Sequence, residues 1–367
     1  MSRDKLKVMI VGPGLRTEGG ITEVIRRIFS QLDASPNIDV VWVAMHRSGN
    51  ALQKIGAALT GFLKSVWLMP GSDIAHIHSA ADISFFRKSI VYWIARLFRK
   101  PVIWHLHSPN ADFERFFGGQ GLAGKYARHV ISHCAKVVVL SESWRALASP
   151  YVDAAKLAVI ENPIPEIPAA SDSAMRQARR VLYLAHLIPR KGYSLLIEAF
   201  AKAAAEHPDA LLVFAGSGEV DNAKRICEEL NITDRVEFLG WVGDEQRDVE
   251  LRKASVFVLP SFQEGLPMGI LESMAYGLAT IVTPVGGIPD VVIDGENGLL
   301  METGSVDSLT DALRRALADP DLCGELGRRA QQAVGRLSPQ RIAVDWQRLY
   351  REILPGSLET VFDEHRT

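Results

Sequence analysis

The chain is 367 residues long, 47% hydrophobic and 23% charged. It exceeds the length that one hydrophobic core sustains and has a globular balance, so two domains are expected and a disordered or fibrous chain is excluded. The net charge of −2 is unevenly spread: residues 1–166 hold 20 Lys and Arg against 13 Asp and Glu, a balance of +7, and residues 167–367 hold 21 against 30, a balance of −9.

The chain opens on the apolar strand Lys7–Val11, followed by Gly12-Pro-Gly14. The apolar run is too short for a signal peptide. Gly19-Gly20 then leads into a segment with helical spacing at Ile21, Val24, Ile25, Ile28 and Phe29. Further strands are predicted at 39–44, 74–78, 102–107 and 137–140, with helical patterns between most of them. Around 162–173 the texture turns to Pro, Ala and Ser, as in an interdomain linker. The pattern then restarts, with strands predicted at 181–185, 211–215, 236–239, 256–259 and 280–283. Alternating strands and helices imply parallel sheets covered on both faces. The chain therefore reads as two Rossmann-like domains, 1–165 and 166–338. A last helix over about 339–355 has Ile342, Trp346, Leu349, Tyr350 and Ile353 on one face, and it can pack on its own domain or back on the first.

No stretch reaches the ~18 uncharged apolar residues that a spanning helix needs. Cys134, Cys227 and Cys323 fit neither a disulfide framework nor a metal-ligand spacing, and they suit a reducing compartment. The expectation is a cytoplasmic protein, at most peripheral to the inner face of the membrane.

The densest chemistry lies in Ser261-Phe-Gln-Glu264-Gly265-Leu266-Pro267-Met268-Gly269-Ile270-Leu271-Glu272. Glu264 falls in the loop after an apolar strand, which is where open α/β sheets bind ligands. Glu272 falls one to two turns into the next helix. Free N–H groups of Leu266 to Ile270 would face a phosphate. A carboxylate beside that anion site is better placed to accept hydrogen bonds from sugar or ribose hydroxyls.

This block, with Ala275-Tyr-Gly277, Val285-Gly-Gly-Ile-Pro-Asp290 and Asp294-Gly-Glu-Asn-Gly-Leu299, resembles glycosyltransferase family 4. The resemblance implies the GT-B fold, an α/β architecture whose two Rossmann-like domains present parallel sheets across a cleft. It implies a retaining, metal-independent hexosyltransferase with a UDP- or GDP-sugar as donor substrate and no cofactor. By resemblance Glu264 contacts hydroxyls of the transferred sugar and Glu272 holds the ribose. The segment Ala185-His186-Leu-Ile-Pro-Arg190-Lys191-Gly192 is similar to the family's diphosphate clamp. Lys191 matches, His186 stands where the family has arginine, and Arg190 supplies a neighbouring charge. Gly19 and Gly20 resemble the glycine pair under the diphosphate, and His107 the histidine that touches the donor sugar. Gly216 lies in another strand-end loop, and Trp241 and Val242 resemble the segment that flanks the base. Trp241 reads equally well as packing.

His78 and His105 read as core histidines, and the His-x-His pairs that they form with His76 and His107 lack the carboxylate or cysteine of a zinc site, so no metal is expected. In 85–100, Phe86, Ile90, Trp93, Ile94 and Leu97 form one helical face, with Arg87, Lys88, Arg96, Arg99 and Lys100 on the other and Val91 and Tyr92 among the charges. Such a helix suits either a core with a solvated basic face or an anionic lipid surface, to which the apolar run 55–67 would add. The expected partners are therefore a nucleotide-sugar donor, a glycan or polyprenyl-diphosphate-linked acceptor and peripheral contact with anionic membrane, with no nucleic acid. The product would serve surface polysaccharide or glycolipid synthesis. The other readings are a non-catalytic sugar-nucleotide-binding homologue, which His186 favours, and a sugar-nucleotide epimerase.

Overall fold

The computed structural model describes residues 5–15, 17, 20–165 and 175–354. The chain forms two compact units, one of residues 1–163 with 339–367 and one of residues 164–338.

Unit 1 is a six-stranded sheet of order β2-β1-β3-β4-β5-β6, all parallel. Its strands are β1 (Leu6–Pro13), β2 (Ile38–His46), β3 (Ile74–Ser79), β4 (Val102–Leu106), β5 (Lys136–Val139) and β6 (Leu157–Val159). Between them run α1 (Gly20–Asp33), α2 (Ala51–Leu68), α3 (Ile83–Leu97), α4 (Asn110–Phe117), α5 (Leu122–Ser132) and α6 (Glu142–Ala148). Strands buried on both faces carry no alternation: in β3 and β4 every residue is buried. An aromatic core of Phe85, Trp104, Phe113, Phe117 and Trp144 is fully buried against them.

Two helices of unit 1 depart from the usual amphipathic rule. In α2, which starts with a reciprocal Asn50–Gln53 cap, the buried residues are Gly61 and Ser65. A Cβ on Gly61 would lie 2.5 Å from the Ala44 carbonyl, so a small face lets the helix lie close to β2. Leu52, Ile55, Leu59, Leu63, Val66 and Trp67 consequently point outward, Leu52 at 78% and Trp67 at 80% exposure. In α3 the buried face is Phe85, Lys88, Ser89, Val91, Tyr92, Ile94 and Ala95, whereas Ile83, Phe86, Ile90, Trp93 and Leu97 are exposed. Spacing alone places Phe86, Ile90, Trp93 and Leu97 on the core side and Val91 and Tyr92 among the charges. The structure reverses this, because the wide aromatic core takes Phe85 and Tyr92 from the adjacent stripe.

Unit 2 is a second parallel sheet of order β12-β11-β10-β7-β8-β9. Its strands are β7 (Arg180–Leu184), β8 (Leu211–Ala215), β9 (Val236–Gly240), β10 (Val256–Leu259), β11 (Ala279–Val282) and β12 (Leu299–Leu300). Its helices are α7 (Tyr193–Ala203), α8 (Val220–Glu229), α9 (Asp244–Lys253), α10 (Met268–Ala275), α11 (Val306–Ala318) and α12 (Pro320–Val334). Ile164 N–H donates to the Leu337 carbonyl at 3.0 Å, so the chain leaves unit 2 beside its point of entry. The last helix, α13 (Pro339–Ile353), belongs to unit 1. Its buried Trp346 stacks on His76 at 4.3 Å between centroids, and Tyr350 hydrogen-bonds His76 Nδ1 at 2.9 Å.

The helix α9 is fixed by a buried ion pair. Arg180 at the start of β7 donates to Glu250 Oε2 at 2.6 Å and to Glu237 at 3.1 Å, and Arg180 and Glu250 are both nearly inaccessible. Removing one member of such a pair strands the other charge in a dry site. Glu250→Ala should therefore lower the stability of unit 2 by about 3 kcal/mol, read as a drop in the urea midpoint for that unit.

Candidate functional site

In unit 2 the functional candidates lie where the strands end. The loop after β10 carries Ser261 and Glu264, and the short 310 turn after β7, Pro189–Lys191, carries the two cations. Lys191 Nζ meets Glu264 Oε1 at 2.5 Å, and Ser261 Oγ donates to the same oxygen at 2.7 Å. Glu264 is 5% exposed. Arg190 donates through its guanidinium to the Gln263 carbonyl at 3.2 Å, and the Arg190 carbonyl accepts from Phe262 N–H at 2.8 Å. The two loops are thus joined at both residues of the basic pair.

Glycines let further backbone into the same place. Gly192, at φ 70°, would with a Cβ collide with the Pro260 carbonyl at 2.1 Å. Gly286, at φ 65°, would meet the Glu264 carbonyl at 2.2 Å. Gly287 N–H donates to the Gly265 carbonyl at 2.7 Å, and Thr283 Oγ1 donates to the Ser261 carbonyl at 2.6 Å. The Val285–Gly287 turn therefore supports the glutamate loop directly.

The helix α10 starts at Met268 after Pro267 and has no side-chain cap. The sequence predicts free N–H groups from Leu266 to Ile270, and the structure narrows that set. Ile270 N–H already donates to the Pro267 carbonyl at 3.2 Å. Tightening of the first turn around Pro267 is the reason. Gly269 lies against the Leu184 carbonyl, 2.9 Å from an added Cβ, which seats the helix start on the end of β7. Leu271, one residue before Glu272, is fully buried beneath it. Glu272 is 2% exposed and faces Arg247 of α9 at 3.8 Å. Sequence reasoning missed Arg247, because only the packing of α9 brings it to Glu272.

A second group forms on the β8 side. His186 Nδ1 pairs with Ser217 Oγ at 3.0 Å, and its ring stacks on Trp241 at 5.7 Å and 25°. Tyr183 holds the His186 carbonyl at 2.9 Å. Gly216 permits the close approach of this loop, since its Cβ would lie 1.8 Å from the Ala185 carbonyl. Trp241 is partly exposed and Val242 buried. An imidazole stacked on a half-exposed indole makes a flat apolar shelf with one polar edge.

Gly20 and His107 belong to unit 1, where Gly20 starts α1; Gly19 lies outside the described residues. His107 follows β4, and its Nε2 pairs with His78 Nδ1 at 3.0 Å. His76, His78 and His105 are buried beside it; the His76 ring stacks on those of His78 and His105 at 4.3 and 5.7 Å, and His78 and His105 are tilted by 46° at 4.7 Å. Burial, and then the charges of neighbours, push all four pKa values down, that of His76 to about 3. His107 is accordingly a neutral ring at pH 7, able to exchange hydrogen bonds but not to act as a cation.

Among the described residues, His76, His78 and His105 bring ligand nitrogens within 4.8 Å of one another. Tetrahedral zinc at ~2.1 Å would need those nitrogens at about 3.4 Å, with ring edges rather than faces turned to one point. The rings lie face to face, and no carboxylate or thiol joins them in the group.

With the geometry described, the class of protein follows. Residues 170–333 match the model of the family described as glycosyl transferases group 1. Residues 170–333 of unit 2 are therefore similar to a glycosyltransferase domain of that group. It is 26% identical over 324 residues to an uncharacterized glycosyltransferase of Haemophilus influenzae, covering 87% of this chain and 86% of that protein. Its fold is similar to that of sucrose-phosphate synthase from Thermosynechococcus elongatus (TM-score 0.76, 20% identity, 95% of this chain and 99% of that one). It is also similar to Anabaena HepE, solved with UDP and glucose (TM-score 0.73, 18% identity, 95% and 100%). The fold is GT-B.

The histidine stack generates a pH prediction. Its folded-state pKa values lie below the unfolded value of about 6.5, so below that pH the unfolded chain binds more protons and stability falls as pH falls. The melting temperature of unit 1 should drop steadily from pH 7 to pH 4, and His105→Leu should flatten that slope in a thermal scan at several pH values.

Proposed function

We propose that this chain is a retaining, metal-independent glycosyltransferase of family 4 that binds a UDP- or GDP-sugar on unit 2 and an acceptor on unit 1. The observation that carries the reading is the buried Glu264 carboxylate, held by Lys191 and Ser261 at the end of β10. A dry carboxylate whose free oxygen lone pairs sit beside a lysine and an uncapped helix start suits a ligand with hydroxyls next to phosphates. Glu264 would accept from the hydroxyls of the transferred sugar and Glu272 from the ribose. Lys191 and Arg190 would take the diphosphate, with the N–H groups of Met268 and Gly269 as further donors. The His186–Trp241 shelf would flank the base, as its stacking geometry suits a planar ring.

In a front-face route the C1–O bond to the diphosphate breaks while the acceptor oxygen bonds C1 on the same face. The acceptor proton passes to the departing phosphate oxygen. The protein's part is then charge stabilisation on the leaving group by donors already in place, each worth about 3 kcal/mol at similar sites. His186 favours a second reading, a non-catalytic nucleotide-sugar-binding homologue, because a ring held by Ser217 supplies less charge than the family's arginine. Nucleotide binding without turnover would support it, and turnover without acceptor would indicate an epimerase.

A thermal-shift panel of UDP, GDP, ADP, TDP and NAD tests the donor site. One nucleoside diphosphate at 100 times its Kd should stabilise the protein by about 2.7 kcal/mol. Glu272→Ala and Lys191→Ala should each weaken that effect at least tenfold in Kd. A response to none of them, or to NAD alone, would overturn the assignment.

The acceptor we infer is lipid-linked, with the protein at the inner face of the membrane. None of the described helices is long and apolar enough to cross a membrane. The outward apolar residues of α2 and α3 are joined by Leu122 at the start of α5, and apart from the buried Lys88 the three helices carry six Lys and Arg and no Asp or Glu. Apolar stripes in an all-basic surround suit anionic lipid headgroups. Sedimentation with phosphatidylglycerol vesicles at low salt should be strong. Leu59→Asp, which removes an apolar contact worth ~1.5 kcal/mol or more, should weaken it by about tenfold. Equal binding to neutral vesicles at high salt would contradict the charge component.

A further inference from the structure

On the inner side of α3, Lys88 is 2% exposed. Its ammonium donates to Ser84 Oγ at 3.0 Å, and among the described residues no carboxylate lies within ion-pairing distance of it. The neighbouring Arg87 is in the same position, with a buried Nε that has no partner. Burying an ammonium without an opposite charge is costly, and proteins normally supply a carboxylate for it. Here burial, and then the Arg87 charge, lower the Lys88 pKa to about 7. A dry ammonium beside a half-buried guanidinium, with no carboxylate for either among the described residues, makes a locally unbalanced positive charge.

The start of the same helix is equally unprovided. Asp82 stands at the cap position with φ 57° and makes no capping hydrogen bond. Its carboxylate is drawn instead to Arg115 at 2.6 Å. The N–H groups of Ile83, Ser84 and Phe85 have no acceptor among the described residues, so they and the positive end of the helix dipole remain open. Long side chains on a helix lean toward its N-terminus, which is why Lys88 Nζ reaches Ser84 in the first turn. The Lys88 ammonium thus sits at the Ser84 hydroxyl, in the same helical turn whose first three amides are open. Ile83 is 78% exposed there, so the turn is open to solvent while the ammonium behind it is dry.

The fold sets this place beside the strand ends of unit 1. Ala81 N–H donates to Ser108 Oγ at 2.6 Å, tying the loop before α3 to the residue that follows His107. The Lys88 charge is felt at His78, His107 and His46, whose pKa values it lowers further. The exposed apolar stripe of α3 starts with Ile83 and Phe86, one turn from the same serine. A tetrahedral anion with several acceptor oxygens matches amides, ammonium and hydroxyl better than a planar carboxylate does.

We propose that the first turn of α3, with Ser84, Lys88 and Arg87, binds a phosphate or diphosphate group, and that this group belongs to the acceptor. The identity of the anion rests on the proposed function; the anion site does not. The prenyl chain of such an acceptor would leave along the apolar stripe that the same helix exposes.

The test uses the full chain carrying Lys191→Ala, which weakens diphosphate binding on unit 2. Inorganic phosphate, pyrophosphate and farnesyl diphosphate are titrated by thermal shift against this protein and against the same protein with Lys88→Met or Ser84→Ala. Pyrophosphate should stabilise the parent. Lys88→Met should abolish that response and raise the ligand-free melting temperature, since it removes a buried unpaired charge. Ser84→Ala, a milder change, should weaken pyrophosphate binding severalfold with the fold intact. No pyrophosphate response in the parent, or a response that neither substitution alters, would overturn the site. Farnesyl diphosphate binding at least as tightly as pyrophosphate assigns the anion to a lipid-linked acceptor, whereas pyrophosphate binding alone would overturn that assignment. Nucleoside diphosphate binding to the wild type is read separately, so loss of the donor reading and loss of this site are distinguishable.

Discussion

A carboxylate as deeply buried as Glu264 has to be neutralised, and unit 2 is arranged around how that is done. The lysine that meets it comes from the end of β7 and the serine from the end of β10, so one charge ties together the loops of two neighbouring strands. Once those loops are tied, the chain passing beside them has little room. Gly192 and Gly286 stand at positive φ against carbonyls of the same loops, where any other residue would add both a clash and backbone strain. Donors and acceptors are thereby held in position by the packing of the loops themselves, the preorganisation that the proposed transfer would use.

Unit 1 is built on the opposite balance. Its polar core is a stack of imidazoles kept neutral by burial, sealed on one side by Trp346 and Tyr350 of a helix that arrives from the far end of the sequence. Its buried Lys88 and half-buried Arg87 meet no carboxylate among the described residues. One unit thus carries its charges already paired, and the other holds positive charge in reserve. The excess of basic residues in the first half of the sequence acquires a specific location in this way, on α2, α3 and α5 and at the first turn of α3.

Apolar runs such as Val256–Leu259 and Leu211–Ala215 marked their strands to within a residue or two, because a strand buried on both faces needs a continuous apolar run. The strands β6 and β12 went unread: at three and two residues they have no pattern of their own and exist through pairing with β5 and β11. The helix α3 was legible as a helix but not in its orientation. Two apolar stripes lie side by side on it, and the depth of the aromatic core beneath decides which is buried. The Ser84–Lys88 pair is an ordinary i, i+4 spacing in the sequence, and its significance comes from burial.

The sequence by itself determined the two-domain parallel α/β architecture and the position of the site segments, because period, length and the glycine-rich strand-end motifs are local properties. It also singled out Glu264 and Lys191, which the structure brings into contact. The tertiary structure alone decided that Arg247 faces Glu272, that Ser217 and Trp241 hold His186, that α13 packs into unit 1, and that Lys88 is dry and without a counter-ion. These are relations between residues distant in sequence or between a side chain and solvent, and neither is encoded in local spacing; they exist only once the elements have packed.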